Sequence, residues 1–168
     1  MPHITSRLII YILTITAREE PTIKTLESAT SFLLYRATRL WQKHFGAALR
    51  PVDLTPAQFG VMVHTGLLLR RKGTVSQIML SRAIHNDVMT VSQIVRALEK
   101  KGFVSRVPHP GDSRANSLSL TPAGHNALKE SLSIATRARE EFFAPIRSKE
   151  GMLKRVLAQL IEFHQEEP

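Results

Sequence analysis

The chain has 168 residues, 43% hydrophobic and 22% charged, enough to bury one compact core without covalent staples. It contains no cysteine, which excludes disulfide frameworks, thiolate metal centres, thiol nucleophiles and cysteine-based redox sensing, and fits a cytoplasmic location. Lysine and arginine outnumber aspartate and glutamate 23 to 14, a formal charge of +9 that points to a polyanionic partner such as nucleic acid or an anionic membrane.

Two-thirds of that excess lies between Arg70 and Arg114, where nine cations face only Asp87, Glu99 and Asp112. The segment before it opens unevenly. Residues 1–21 hold a short β-branched apolar run, Leu8 to Ile15, that loosely imitates a secretory signal. It falls far short of the roughly 20 apolar residues of a membrane span. It suits a strand or a dimer-contacting arm better, and a translation start downstream of it would also fit, because regular patterning begins only after Pro21. Its role is left unassigned.

Across 22–45 the residues Leu26, Ala29, Leu33, Ala37 and Leu40 recur in steps of three and four, which predicts a long helix ended by Gly46 and Pro51. A capping box follows: Thr55 as N-cap, Pro56 at the first helical position, Gln58 at the third, with Leu54 and Phe59 as a hydrophobic staple. That helix runs out at Arg70, Arg71 and Lys72. Thr74 and Gln77 repeat the capping-box spacing, predicting a short helix with Val75, Ile78, Met79 and Ala83 on its apolar face. Asn86 or Asp87 caps the next helix, whose stripe is Val88, Val91, Val95 and Leu98 and whose stop is Gly102. Two short helices across a tight polar turn are the helix-turn-helix pattern.

Residues 103–107 and 116–120 read as short extended runs able to pair as a hairpin. Thr121 and Pro122 start a long helix with Leu128, Leu132, Ala135, Ala138 and Phe142. Ser148 is expected to cap a last helix carrying Leu153, Val156, Leu157, Leu160 and Ile161. The fold class is therefore mainly α with a small β-hairpin.

Burying the stripe of the 88–101 helix turns Met89, Thr90, Ser92, Gln93, Arg96 and Lys100 outward. These side chains suit DNA: Gln93 can pair with adenine, Arg96 with guanine or phosphate, Thr90 and Ser92 can donate to phosphates or base edges, and Met89 can touch a thymine methyl. The block "TVSQIVRALEKKGFVSRVPHPGDSRANSLSLTPAG" from Thr90 to Gly124 then resembles the MarR (multiple antibiotic resistance regulator) type of winged helix-turn-helix repressor. The resemblance extends from residue 22 to the C-terminus. It rests on the ordered series of a T-V-S recognition helix, L-E-x-x-G-h-V-x-R, a D-x-R wing and L-T-x-x-G. It implies a homodimer on double-stranded DNA, with a winged helix-turn-helix module at 51–122 (recognition helix about 88–101, wing about 103–120). Dimerisation helices at 22–50 and 123–168 flank the module. It places the wing arginine on Arg114, its partner acid on Asp112, and the arginine closing the first wing strand on Arg106, and all three are expected among the DNA-binding residues. Where the family often has aspartate, this chain has His109.

A ligand-responsive repressor on a pseudo-palindromic operator is the expectation, with a nonspecific architectural DNA binder or a winged protein-interaction module as alternatives. The resemblance also implies a small-molecule effector pocket, with Trp41, His44, Met62 and His64 as weak candidates beside an equally ordinary core reading. The histidines, among them His44, His64, His85, His109, His125 and His164, have no metal-ligand spacing. No phosphate loop, nucleophile elbow or carboxylate pair marks an enzyme. Neither a metal, a cofactor nor a membrane partner is expected.

Overall fold

A computed structural model describes residues 27–109 and 112–165. The described chain runs α1 (Thr30–Ala48), a 3-10 turn (Arg50–Val52), α2 (Pro56–Lys72), α3 (Gln77–Ile84) and α4 (Val88–Lys100). Strands β1 (Val104–His109) and β2 (Asp112–Leu120), α5 (Pro122–Phe143), a second 3-10 turn (Ala144–Lys149) and α6 (Glu150–Gln165) complete it. It divides into two units, 1–40 and 41–168. The first contributes the opening turns of α1, where Phe32, Leu33, Leu34 and Tyr35 are all exposed. The core and the site described below lie in the second.

Most of the local signals that start and stop the helices act as the sequence predicts; Gly46 does not, since α1 runs through it to Ala48. Thr55 accepts from the Gln58 N–H at 3.2 Å while the Gln58 side chain accepts from the Thr55 N–H at 3.1 Å, a complete capping box. Gly73 ends α2 at φ +70°, and Gly102 follows α4 at φ +72°, backbone that an L side chain rarely adopts. Asp87, rather than Asn86, caps α4.

Two caps differ from expectation. Thr74 does not cap α3; Ser76 does, accepting from the Met79 N–H at 3.2 Å. The Thr74 hydroxyl instead donates to Ser117 at 3.1 Å, and Val75 next to it is extended against β2. The Leu118 N–H donates to the Val75 carbonyl at 2.8 Å and the Val75 N–H to the Ser117 hydroxyl at 2.9 Å. Those two residues are thus taken up by the hairpin's edge, and the helix starts later. Ser148 likewise lies inside the second 3-10 turn, so it is not the cap of α6.

The core gathers the 0%-exposed Leu49, Val61, Met62, Val75, Leu80, Val91, Val95 and Leu98 with Val104, Leu118 and Leu120. Val88 was expected among them but is 42% exposed, because the first residue of α4 overhangs the edge of the core. Ile78 on α3 and Leu132 on α5 are also exposed; on α5 the buried side is Gly124, Ser131, Ile134 and Ala138. The hairpin is antiparallel, with Val104 opposite Leu120, Arg106 opposite Leu118 and an irregularity at Pro108/His109. Its strands extend beyond the predicted 103–107 and 116–120 toward the tip. Pro110 and Gly111 lie outside the described residues.

Both ends of the hairpin are pinned at one point. The Thr121 N–H donates to the Phe103 carbonyl at 3.1 Å, its hydroxyl donates to the Gly102 carbonyl at 2.6 Å, and that hydroxyl accepts from the Gly124 N–H at 3.0 Å. A Cβ at Gly124 would sit 1.9 Å from the Phe103 carbonyl oxygen. Gly124→Ala should therefore force the start of α5 off the β1 entry. We expect a loss near the top of the overpacking range, about 3 kcal/mol, seen as a thermal midpoint several degrees lower. An unchanged midpoint in a calorimetric scan would refute this close approach.

Candidate nucleic-acid interface

Helix α4 is anchored from inside. Val91, Val95 and Leu98 are wholly buried, which leaves Met89 68% exposed and puts Gln93, Arg96 and Lys100 in solvent, with Thr90 and Ser92 half-buried. Met89, Gln93, Arg96 and Lys100 follow helical spacing along one outer side, so the structure brings together the expected reading residues. The Arg96 guanidinium lies 3.4 Å from the Ser92 carbonyl of its own helix, a long contact that leaves its donors available outward.

Thr90 has a different employment. Its N–H and hydroxyl donate to the two oxygens of the Asp87 carboxylate at 2.7 and 2.6 Å. The hydroxyl proton that would reach a phosphate is thus held by the cap, and Thr90 shapes the start of α4 rather than donating outward. Those two bonds hold the Asp87 carboxyl below the ordinary aspartate range, the side-chain bond contributing most.

Arg106 also differs from its expected role. Its Nε donates to Glu99 Oε1 at 2.8 Å and its Nη2 to Oε2 at 3.4 Å, a two-point pair between β1 and the last turn of α4. A guanidinium held by a carboxylate is no free cation for phosphate. Lys101, at the C-terminus of α4, bonds the Asp53 carboxylate at 3.1 Å, the Gln58 side chain at 3.2 Å and the Asp53 carbonyl. Asp53 sits at φ +51° after the 3-10 turn, so Lys101 ties the recognition helix to the α1–α2 joint. The sequence offered no signal for either pairing, because each joins residues whose neighbourhood only the fold creates. Asp112 and Arg114 belong to β2 and His109 to β1. Their side chains lie outside the described residues, and so do those of 113, 115 and 116.

The model of the MarR family matches residues 54–115, from the capping box through the hairpin. An uncharacterized HTH-type transcriptional regulator, YdcH, of Bacillus subtilis (strain 168) is 37% identical over 126 residues, 75% of this chain and 86% of that protein. The chain belongs to the MarR family. It is a winged helix-turn-helix DNA-binding regulator of transcription. Among solved structures, a probable transcriptional regulator from Pseudomonas aeruginosa is similar at 29% identity and a TM-score of 0.72, over 80% of this chain and 98% of that one. The transcriptional repressor CouR, bound to a 23-mer DNA duplex, is similar at 27% identity and a TM-score of 0.72, over 85% and 99%.

The effector candidates in this MarR-family chain have different surroundings. Met62 is fully buried in the core, and the His64 Nδ1–H donates to the Gly60 carbonyl of its own helix at 2.8 Å. Trp41 stacks on Phe45 with centroids 5.0 Å apart and meets Phe142 edge-on at 5.3 Å, with His44 beside them. The His44 Nε2–H donates to the Ala138 carbonyl at 3.1 Å. A cavity of about 350 Å³ opens beside Ala138, between Ala48 and Pro51 and the α5 residues Glu130, Ser133, Arg137 and Glu141. None of the four predicted residues lines it. Its charged walls read in the sequence as an ordinary solvated helix side, and only the approach of the α1 terminus makes them a concavity. Among the described residues no group of three or more His, Cys, Asp or Glu could hold a metal, and no helix is long and apolar enough to cross a membrane.

The Asp87 cap yields a pH signature. Its carboxyl is held low in the folded state, so the stabilisation it supplies is present above the unfolded aspartate value and is lost as pH falls through the folded one. Asp87→Asn keeps a cap acceptor but loses the charge at the helix N-terminus. Its thermal midpoint should lie below the parent's at neutral pH, the gap closing as both are acidified through the carboxylate range. A gap independent of pH would show that the charge plays no part.

Proposed function

We propose that this protein is a dimeric, ligand-responsive repressor that binds a pseudo-palindromic site, α4 in the major groove and the hairpin reaching the neighbouring minor groove. The observation that carries this reading is the division of α4. Val91, Val95 and Leu98 are wholly buried on one side, and the other presents Met89, Gln93 and Arg96, with Lys100 behind, beside a projecting hairpin. In this reading Gln93 and Arg96 read base edges, Met89 and Ser92 contact a thymine methyl and a phosphate, Arg114 enters the minor groove, and Asp112 orients it. The DNA-bound repressor CouR supports the repressor assignment by similarity of fold and sequence.

Dimerisation rests on uncovered apolar surface. On α6, Met152, Val156, Leu160, Ile161 and Phe163 are each about half exposed or more, and Phe32 to Tyr35 of α1 are exposed in the other unit. Large apolar side chains left to water along a helix mark surfaces for protein–protein contact. The cavity between the α1 terminus and α5 is where we place the effector. Its wall at Pro51 is two residues from Asp53, which Lys101 ties to the recognition helix.

Duplexes selected by the protein from a genomic fragment pool test the DNA assignments. Gln93→Ala or Arg96→Ala should cost about 1 to 3 kcal/mol on the selected site and relax its sequence preference. Arg114→Ala should weaken binding without altering the helical circular dichroism. Equal affinity for selected and random DNA at physiological salt would favour the architectural reading, and no affinity for either the protein-interaction reading.

Sedimentation at micromolar concentration should give twice the chain mass. A monomer there would sink the two-site mechanism, because one half-site supplies little discrimination.

A further inference from the structure

Resting on the reading that α4 and the hairpin meet DNA together, we propose that the Glu99–Arg106 pair is a strut fixing the angle between recognition helix and wing. Glu99 is then a positioning residue for DNA binding. The pair has two bonds, 2.8 Å at Nε and 3.4 Å at Nη2, and a fork on a carboxylate fixes orientation as well as distance. It closes a short loop across Gly102, whose φ of +72° sets the turn between the two elements.

Its place along the hairpin gives it purpose. The base of the wing is already fixed: Val104, Leu118 and Leu120 are buried, Val75 bonds the β2 edge, and Thr121 pins the root. Outward from Val104 the β1 residues Arg106, Val107 and Pro108 are exposed, so burial no longer holds the strand. Arg106 is where control of the wing passes from packing to a charge pair with α4.

The charges sharpen the inference. An acid within a basic DNA-facing stretch repels phosphate, so removing it should tighten binding if Coulomb attraction were the whole account. Loss of a strut acts the other way, by letting the wing depart from the angle at which both elements fit. Glu99→Gln sets the two effects against each other at one atom. The side chains are 27% and 40% exposed, which limits the strut to the strength of a surface pair. The loss expected in Glu99→Gln is about two- to fivefold in Kd.

The test uses the full chain and the duplex that the parent selects from a random-sequence pool, with affinity read by titration and wing engagement by hydroxyl-radical footprinting. Glu99→Gln should bind more weakly, keep the protections made by α4 and lose those of the wing. The charge-reversed pair, Glu99→Arg with Arg106→Glu, should recover the wing protections at unchanged net charge. Binding by Glu99→Gln equal to or tighter than the parent's, with wing protections intact while Arg114→Ala is weakened, overturns the strut and leaves the wing standing. If Arg114→Ala also binds like the parent, the wing reading fails and the strut falls with it. Should Glu99→Gln not fold, the reversed pair decides: recovered wing protections support the strut, and a folded double variant lacking them overturns it.

Discussion

The hydrogen bonds of Thr121 and the missing Cβ of Gly124 set the geometry on which the module depends. Thr121 joins the start of α5 to the turn that ends α4, and Gly124 lets the helix backbone approach the Phe103 carbonyl. Because β1 leaves that turn and β2 returns to Thr121, both strands of the hairpin are rooted at one point. The hairpin can then project only from the end of the recognition helix. A larger residue at 124 or a non-donor at 121 would free that root, and the buried Val104, Leu118 and Leu120 would have no fixed partner surface.

The charge count of the sequence overstates what is offered to DNA. Of the cations between Arg70 and Arg114, Lys101 is occupied by Asp53 and Gln58, and Arg106 by Glu99. Paired inside the fold, these two contribute to joints rather than to an exposed field, while Arg96 and Lys100 remain exposed on α4. Electrostatic attraction scales with net charge at long range, but contact specificity belongs to the donors that are left unpaired.

Much of the fold was legible because its signals are local. The Thr55–Gln58 box, Asp87, Gly102 and the Thr121–Pro122 start are each decided within four residues of sequence, and each acts as read. Some of the failures are long-range. Thr74 looked like a cap because the sequence could not show Ser117, forty-three residues on, taking its hydroxyl. Leu132 is exposed although it falls on the apolar stripe of α5, whereas Gly124 and Ser131 of the same helix are buried. Of the candidate site, the outer side of α4 was legible from periodicity. The partners of Thr90 and Arg106, and the cavity at Pro51, were not, since each needs two elements placed together.

The recognition helix is held along its length and at both ends, and this constrains how a bound effector could control it. Val91, Val95 and Leu98 are fully buried, each worth about 1.5–3 kcal/mol, so turning α4 about its axis would cost several kcal/mol. Typical allosteric coupling free energies are only about 1–3 kcal/mol. At the N-terminus the Asn86 carbonyl accepts from the Ser81 hydroxyl of α3, and the C-terminus is held by Lys101 and Glu99. An effector therefore lacks the energy to re-aim the reading residues within the module. On the cavity placement proposed above, it would instead shift the module as a rigid body, through the α1–α2 joint at Asp53. The joint that Lys101 grips would then be where motion enters, and a rigid α4 would carry it to the DNA-facing side.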